Sequence, residues 1–197
     1  MTTAHAPRVV GLCGSLRAES RTRIALREVL GAAREGGART DLLDLRSYDL
    51  PSLYGPAPDP DDEAALRAAV ERADGVVLAT PNYHGSYSGA LKDALDHLGR
   101  EELGGTTVGL LEVAGGEFPG AALCHLRDVC RTLDAWTLPV EVAVPRSRET
   151  VADGGIADEA VAERARRLGS AVARYAGVER YPDAVEAADP AAGSGAD

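Results

Sequence analysis

The stretch Gly75-Val-Val-Leu-Ala-Thr80, closed by Pro81, is apolar from end to end. A strand with one wet face alternates apolar and polar residues, so an unbroken run implies cover on both faces, the situation of a parallel sheet sandwiched between helices. The rest of the chain repeats that plan. Strands are read at Val9–Cys13, Thr40–Leu45 and Thr107–Val113, and Leu138, Val140, Val142 and Val144 alternate as a half-exposed fifth strand. Helical spacing lies between them. Ile24, Leu26, Val29 and Leu30 mark a helix over 20–34 that Gly36-Gly37 stops, and Leu66, Ala69, Val70 and Ala73 mark one that starts near Asp61. Leu91, Leu95 and Leu98 follow on a third helix, Leu123, Leu126, Cys130 and Leu133 on a fourth, and Val161, Ala165, Leu168, Val172 and Tyr175 on a last long one.

Five such units predict an α/β fold: three layers, doubly wound, with a five-stranded parallel sheet and right-handed crossovers. In the flavodoxin-like strand order 2-1-3-4-5, ligands sit at the carboxyl ends of the strands, where the order reverses between strands one and three. The domain is expected over residues 1–182. Residues 183–197 are Ala, Asp, Gly and Pro with almost no large apolar group, and disorder is expected there.

The loop after the first strand reads Gly14-Ser-Leu-Arg-Ala-Glu-Ser20-Arg-Thr22. The first turn of a helix leaves N–H groups without acceptors and carries partial positive charge, so an anion is stabilised there. Ser15, Ser20 and Thr22 add hydroxyls, Arg17 adds a charged fork, and Gly14 permits close approach. The spacing matches neither the nucleotide P-loop nor the dinucleotide fingerprint, and both are absent from the chain. A plainer reading stands beside the anion site, in which Ser20 only caps the helix. With a formal net charge of -10, the chain is unsuited to general nucleic-acid binding, and the local group Arg17, Arg21 and Arg23 then reads as a device for one anion. No signal peptide and no membrane-spanning run are visible, so a cytoplasmic protein without membrane contact is expected.

Two further loops lie at strand ends. Pro81-Asn-Tyr-His-Gly-Ser-Tyr-Ser-Gly89 follows the third strand, and Ala114-Gly-Gly-Glu-Phe-Pro-Gly120 follows the fourth. Tyr83 can pack on a flat ligand or cover the core, and Gly115 and Gly116 can offer close backbone approach or merely form a turn. The proline-rich stretch 46–60 reads as a long irregular loop. The three cysteines suggest neither a disulfide framework nor metal spacing, Cys13 reads as a buried structural thiol, and no metal is assigned.

Gly14-Ser15-Leu16-Arg17-x-x-Ser20 followed by Thr80-Pro-Asn-Tyr-His-Gly-Ser-Tyr-Ser-Gly-Ala-Leu-Lys-Asp-Ala-Leu-Asp96 resembles the NADPH-dependent FMN reductase family, over roughly residues 8–178. The resemblance implies FMN as the cofactor and NADPH as the hydride donor. It implies that Ser15, Leu16, Arg17, Ser20, Arg21 and Thr22 hold the FMN phosphate. Pro81, Asn82, Tyr83, His84, Gly85 and Ser86 would lie at the ring, the N–H groups of residues 83–85 meeting its heteroatoms, with Gly115 and Gly116 near its pyrimidine edge. Family members commonly carry Asn in place of Thr22 and Glu in place of Asn82. No catalytic dyad is expected, because the flavin carries the chemistry. The acceptor is free flavin or a small oxidised molecule such as a quinone or azo compound. The expected partners are a second copy, as homodimer or homotetramer, to which Leu91, Leu95 and Leu98 are candidate contacts, though core burial explains these leucines equally well, and a flavin-dependent monooxygenase. The alternatives are a dedicated tailoring oxidoreductase and a flavodoxin-type electron carrier, whose Thr-rich phosphate loop this chain lacks.

Overall fold

A computed structural model of the chain describes residues 6–55, 57–152 and 154–178. The tail expected from residue 183 lies outside them. In chain order the elements are β1 (Arg8–Cys13), α1 (Arg21–Glu35), β2 (Arg39–Asp44), α2 (Pro60–Glu71), β3 (Gly75–Pro81), α3 (Gly89–Asp96), α4 (Arg100–Leu103), β4 (Thr107–Val113), α5 (Ala121–Thr132), β5 (Trp136–Val144), α6 (Ser147–Thr150), β6 (Val151–Ala152), β7 (Gly155–Ile156) and α7 (Glu159–Tyr175). The first five strands form one sheet in the order β2-β1-β3-β4-β5, every pair parallel. The doubly wound order read from the sequence is the order observed.

β3 is buried at all of its positions, and its side chains feed two cores. Val77 and Ala79 join Val9, Leu26, Val29, Leu111 and Leu168 under α1 and α7. Val76 and Leu78 join Leu12, Leu66, Leu91, Leu95, Leu110 and Leu126 on the opposite face. Strands that alternate between two apolar layers cannot slip by one residue without exchanging their cores, so the register is firmly set. On one face α1 and α7 meet closely at Gly169, where a Cβ would run into the Val29 carbonyl. Leu91, Leu95 and Leu98 point into the second core at 0, 3 and 6 % exposure, so of the two readings open for them, core burial and subunit contact, the structure shows core burial.

Helix starts follow local chemistry. Ser20 caps α1 and Asp158 caps α7, while α2 has Asp59 as cap, Pro60 in its first turn and three acidic residues behind it. The 46–60 stretch opens with a single 3-10 turn at Leu45–Ser47, and its described residues are otherwise irregular up to Pro60. It is tied to α3 and the residue after it: Ser52 Oγ donates to Asp93 at 2.8 Å, and His97 Nε2 meets the Pro51 carbonyl at 2.8 Å. β5 starts at Trp136, two residues before the alternation predicts, and tolerates Pro139 because it is an edge strand. α4, α6 and the β6–β7 hairpin were not expected from the sequence. Among the described residues no helix is long and apolar enough to cross a membrane.

Candidate functional site

The carboxyl ends of β1 and β3 are laced together. The Gly14 N–H donates to the Ala79 carbonyl at 2.8 Å, and Ser88 Oγ donates to the Gly14 carbonyl at 2.7 Å. Gly14 is required here, because a Cβ would come within 2.8 Å of Leu91 Cβ and 2.9 Å of Ser88 Oγ. Beyond it the chain turns outward, Leu16 standing 58 % exposed, until Ser20 caps α1 by accepting the Arg23 N–H at 3.1 Å. The capping reading of Ser20 therefore holds in the fold.

The three arginines of this loop divide their work. Arg17 and Arg21 line the cleft. Arg23 turns inward instead: it is buried, donates to the Arg17 carbonyl at 2.9 Å and the Ala18 carbonyl at 3.0 Å, and pairs with Asp44 at 2.9 Å. It braces the loop and does not contribute to the anion-facing group in which the sequence placed it. By drawing two carbonyls inward, Arg23 leaves the opposite edges of those peptides to their N–H groups. Among the described residues, no main-chain N–H from Leu16 through Thr22 has an acceptor within the chain. No acidic residue stands in the first turn of α1 to neutralise that end. Beneath the loop, burial pushes the Cys13 thiol up, partly offset by the Ser15 N–H and the Arg23 charge, which fits the structural role read for it.

The second loop is a tight turn. Tyr83 and Ser86 exchange main-chain hydrogen bonds at 2.9 and 3.1 Å, with His84 and Gly85 at φ 55° and 77°. The Gly85 N–H donates to Asn82 Oδ1 at 3.0 Å. Of the three N–H groups expected to meet a ligand, those of Tyr83 and Gly85 are thus used inside the turn, and the His84 N–H has no acceptor among the described residues. Tyr83 is 42 % exposed and so does not cover the core. Ser86 Oγ lies 3.0 Å from His125 Nδ1 on α5.

Asn82 is held from behind by Glu112, which the sequence reading passed over. Glu112 is fully buried near the end of β4, where its Oε1 accepts from Asn82 Nδ2 and its Oε2 from the N–H groups of Gly120 (3.0 Å) and Leu123 (3.3 Å). α5 has no side-chain cap of its own, and the Glu112 carboxylate supplies one through space. The signal was a lone carboxylate in an otherwise apolar strand, Thr-Val-Gly-Leu-Leu-Glu-Val.

An open cleft of about 230 Å³ joins these loops. Of the predicted residues it gathers Ser15, Arg17, Arg21, Thr22, Pro81, Asn82, Tyr83 and Gly115. Leu16, Ser20, His84, Gly85, Ser86 and Gly116 belong to the same loops without lining it. Gly116 uses its carbonyl to accept the Arg146 N–H at 2.8 Å, and Ser147 donates its N–H to the Ala114 carbonyl. Those contacts bring Ser147 and Arg148 into the cleft lining beside Glu19 and Val113. The candidate site loops read from the sequence end with the one after the fourth strand; extending the carboxyl-end rule to Pro145-Arg-Ser-Arg148, after the fifth, finds these two. Among the described residues no cluster of three or more His, Cys, Asp or Glu is placed to hold a metal.

The family model for NADPH-dependent FMN reductase matches residues 7–149. The chain belongs to that family. An FMN-dependent NADPH-azoreductase of Staphylococcus haemolyticus is 33% identical over 150 residues, covering 73% of this chain and 80% of the relative. Among solved structures, a flavoenzyme NAD(P)H:acceptor oxidoreductase from Paracoccus denitrificans shares 26% identity at a TM-score of 0.69, over 86% of this chain and 96% of that one. An NADH:FMN oxidoreductase superimposes at a TM-score of 0.72 with 24% identity, over 88% and 91% of the two chains, and bears on the fold alone. Membership makes this chain an FMN-dependent NAD(P)H oxidoreductase of flavodoxin-like fold, and the family acts on small-molecule acceptors.

Proposed function

We propose that this cleft holds FMN with its phosphate at the start of α1, on Ser15, Leu16, Arg17, Ser20, Arg21 and Thr22. Its ring would lie against Pro81, Asn82, Tyr83, His84, Gly85 and Ser86 on one side and Gly115 and Gly116 on another. The observation that carries this reading is the run of acceptor-less N–H groups from Leu16 to Thr22 beside Arg17 and Arg21, on a chain whose net charge is -10. Such a donor set suits a phosphate dianion, which takes several short charge-assisted hydrogen bonds at once.

Bound FMN supplies the hydride chemistry that links a nicotinamide to an oxidised acceptor. The chain's residues bind and orient. Arg17 and Arg21 neutralise the phosphate, Tyr83 offers an aromatic face, and the His84 N–H offers one main-chain donor to a ring heteroatom. Arg148 adds a cation on the α6 side of the same cleft, suited to a phosphate of NADPH. The acceptor is a small, flat oxidised molecule of the azo or quinone class, a reading supported by the activity named for the Staphylococcus haemolyticus relative. The unit spans residues 1–182 and works in the cytoplasm as a homodimer or homotetramer. Leu16 and Phe118, exposed by 58 and 91 % on two of the cleft loops, support an assembly that covers them.

The deciding experiment is anaerobic addition of NADPH to the FMN-loaded protein, followed by an azo dye or free FMN as acceptor. Bleaching of the flavin band and decolouring of the dye are expected. Bleaching with turnover on free FMN alone would instead make the chain a supplier of reduced flavin to a monooxygenase. A band that NADPH leaves oxidised would overturn the reductase reading.

A further inference from the structure

Buried Glu112 and half-buried Asn82 form a polar pair that the binding of FMN does not by itself require. Asn82 has one amide with two ends. Its Nδ2 donates to Glu112 Oε1, and its Oδ1 accepts the Gly85 N–H at 3.0 Å. The carboxylate can only accept, so it determines which end of the amide faces the turn. The other carboxylate oxygen holds Gly120 and Leu123, at the start of α5. One fully buried charge thus ties the turn after β3 to the glycine loop after β4.

The consequence lies two residues beyond Asn82. With Gly85 committed to Asn82 and Tyr83 committed to Ser86, the turn is closed in a form that leaves the His84 N–H without an acceptor among the described residues, at φ 55°. That backbone is uncommon for a residue with a side chain and needs fixed contacts around it to persist. We infer that Glu112 is a positioning residue for the cofactor turn: through Asn82 it sets the direction of the Gly85 and His84 N–H groups. This rests on the reading of the cleft as the FMN site.

Conservative exchange separates this role from simple capping of α5. In Glu112→Gln the remaining carbonyl can still cap α5, but the new NH₂ then faces the Asn82 NH₂. Asn82 must turn over, and it then presents a donor to the Gly85 donor. In the Asn82→Asp, Glu112→Gln double variant the carboxylate on the turn accepts from both the new amide and Gly85, so every partner is restored with the charge moved across the pair.

Two readouts test this. One is the exchange rate of the Gly85 amide in the FMN-free protein by nitrogen-15 NMR, and the other is the FMN dissociation constant by quenching of flavin fluorescence. Glu112→Gln is expected to speed Gly85 exchange and weaken FMN binding, each by tenfold or more, while the double variant returns Gly85 exchange to within about threefold of the unsubstituted chain. Unchanged Gly85 exchange and FMN affinity in Glu112→Gln, or no recovery of Gly85 exchange in the double variant, would overturn the inference. If Gly85 exchange follows the pattern but the unsubstituted chain binds no FMN, the positioning of the turn stands and the assignment of the site falls.

Discussion

Arg17, in the loop after β1, and Arg23, in the first turn of α1, lie six residues apart, and the structure assigns them opposite duties that two substitutions separate. Arg17 is exposed, and its side chain has no hydrogen-bond or ion-pair partner among the described residues. Arg17→Ala should leave the unfolding temperature of the FMN-free protein unchanged. It removes one charge-assisted contact to the phosphate, about 1.5–3 kcal/mol, which is roughly a ten- to 150-fold loss of FMN affinity. Arg23→Met keeps the buried stem and removes the guanidinium. Two hydrogen bonds to carbonyls go with it, at about 1.5–3 kcal/mol each for a charged donor. Part is recovered because Arg17 and Ala18 are exposed enough for water to reach their carbonyls, and Asp44 is not stranded, since Arg46 still grips it at 2.6–3.1 Å. A net loss of about 2–3 kcal/mol is expected, or roughly 4–12 °C in a domain of this size. FMN affinity should fall as well, because the carbonyls that Arg23 holds inward are what turn the loop N–H groups outward. Calorimetry of the FMN-free variants and flavin fluorescence titration check both. Destabilisation by Arg17→Ala, or undiminished stability in Arg23→Met, would refute the division of roles.

Arg46 is the principal cause holding the Asp44 carboxyl below its usual value. A carboxyl whose value is depressed by folding adds stability above its unfolded value and loses it as pH falls through the folded one, so the stability gap between the parent and Asp44→Asn should shrink below about pH 4. Guanidinium melts across pH 2.5–7 should show that convergence only on the acid side. Burial raises the Cys13 thiol and pushes Cys130 up to about 11. A thiol reagent at pH 8 should therefore label only the exposed Cys124 in the native chain and all three cysteines in denaturant. Gly169→Ala should cost about 3 kcal/mol or more, because its methyl group meets the Val29 main chain where α1 and α7 touch; an unshifted thermal midpoint would contradict that packing.

The elements that were legible in the sequence are those with many residues obeying one rule. β3 announced itself because both of its faces are buried, and α7 because its stripe runs for 17 residues. The hairpin β6–β7 and the one-turn α6 contain two to four residues per element, too few to carry a period, and α6 brings Ser147 and Arg148 to the cleft. For the site, residue type was legible and direction was not. Three arginines in seven positions look alike in a string, and which one turns inward depends on Asp44, a partner across the β1–β2 edge of the sheet.

Glu112 shows where the limit lies. A carboxylate inside Thr107–Val113 breaks an apolar strand and so marks itself as held by something, since an unpaired buried charge is too costly to persist. Its partners lie 8, 11 and 30 residues away, at the start of α5 and on the loop after β3. Only the parallel order of β3 and β4 brings them together, with Thr80 opposite Glu112 in the register and Asn82 just beyond it. The topology that the sequence does predict is therefore enough to nominate the neighbours of a buried charge. A polar residue within two positions of its cross-strand partner, here Asn82 beyond Thr80, is the first to test. By the same reasoning a carboxylate moved from β4 to the turn after β3 should serve that turn equally well, which is what the Asn82→Asp, Glu112→Gln double variant examines.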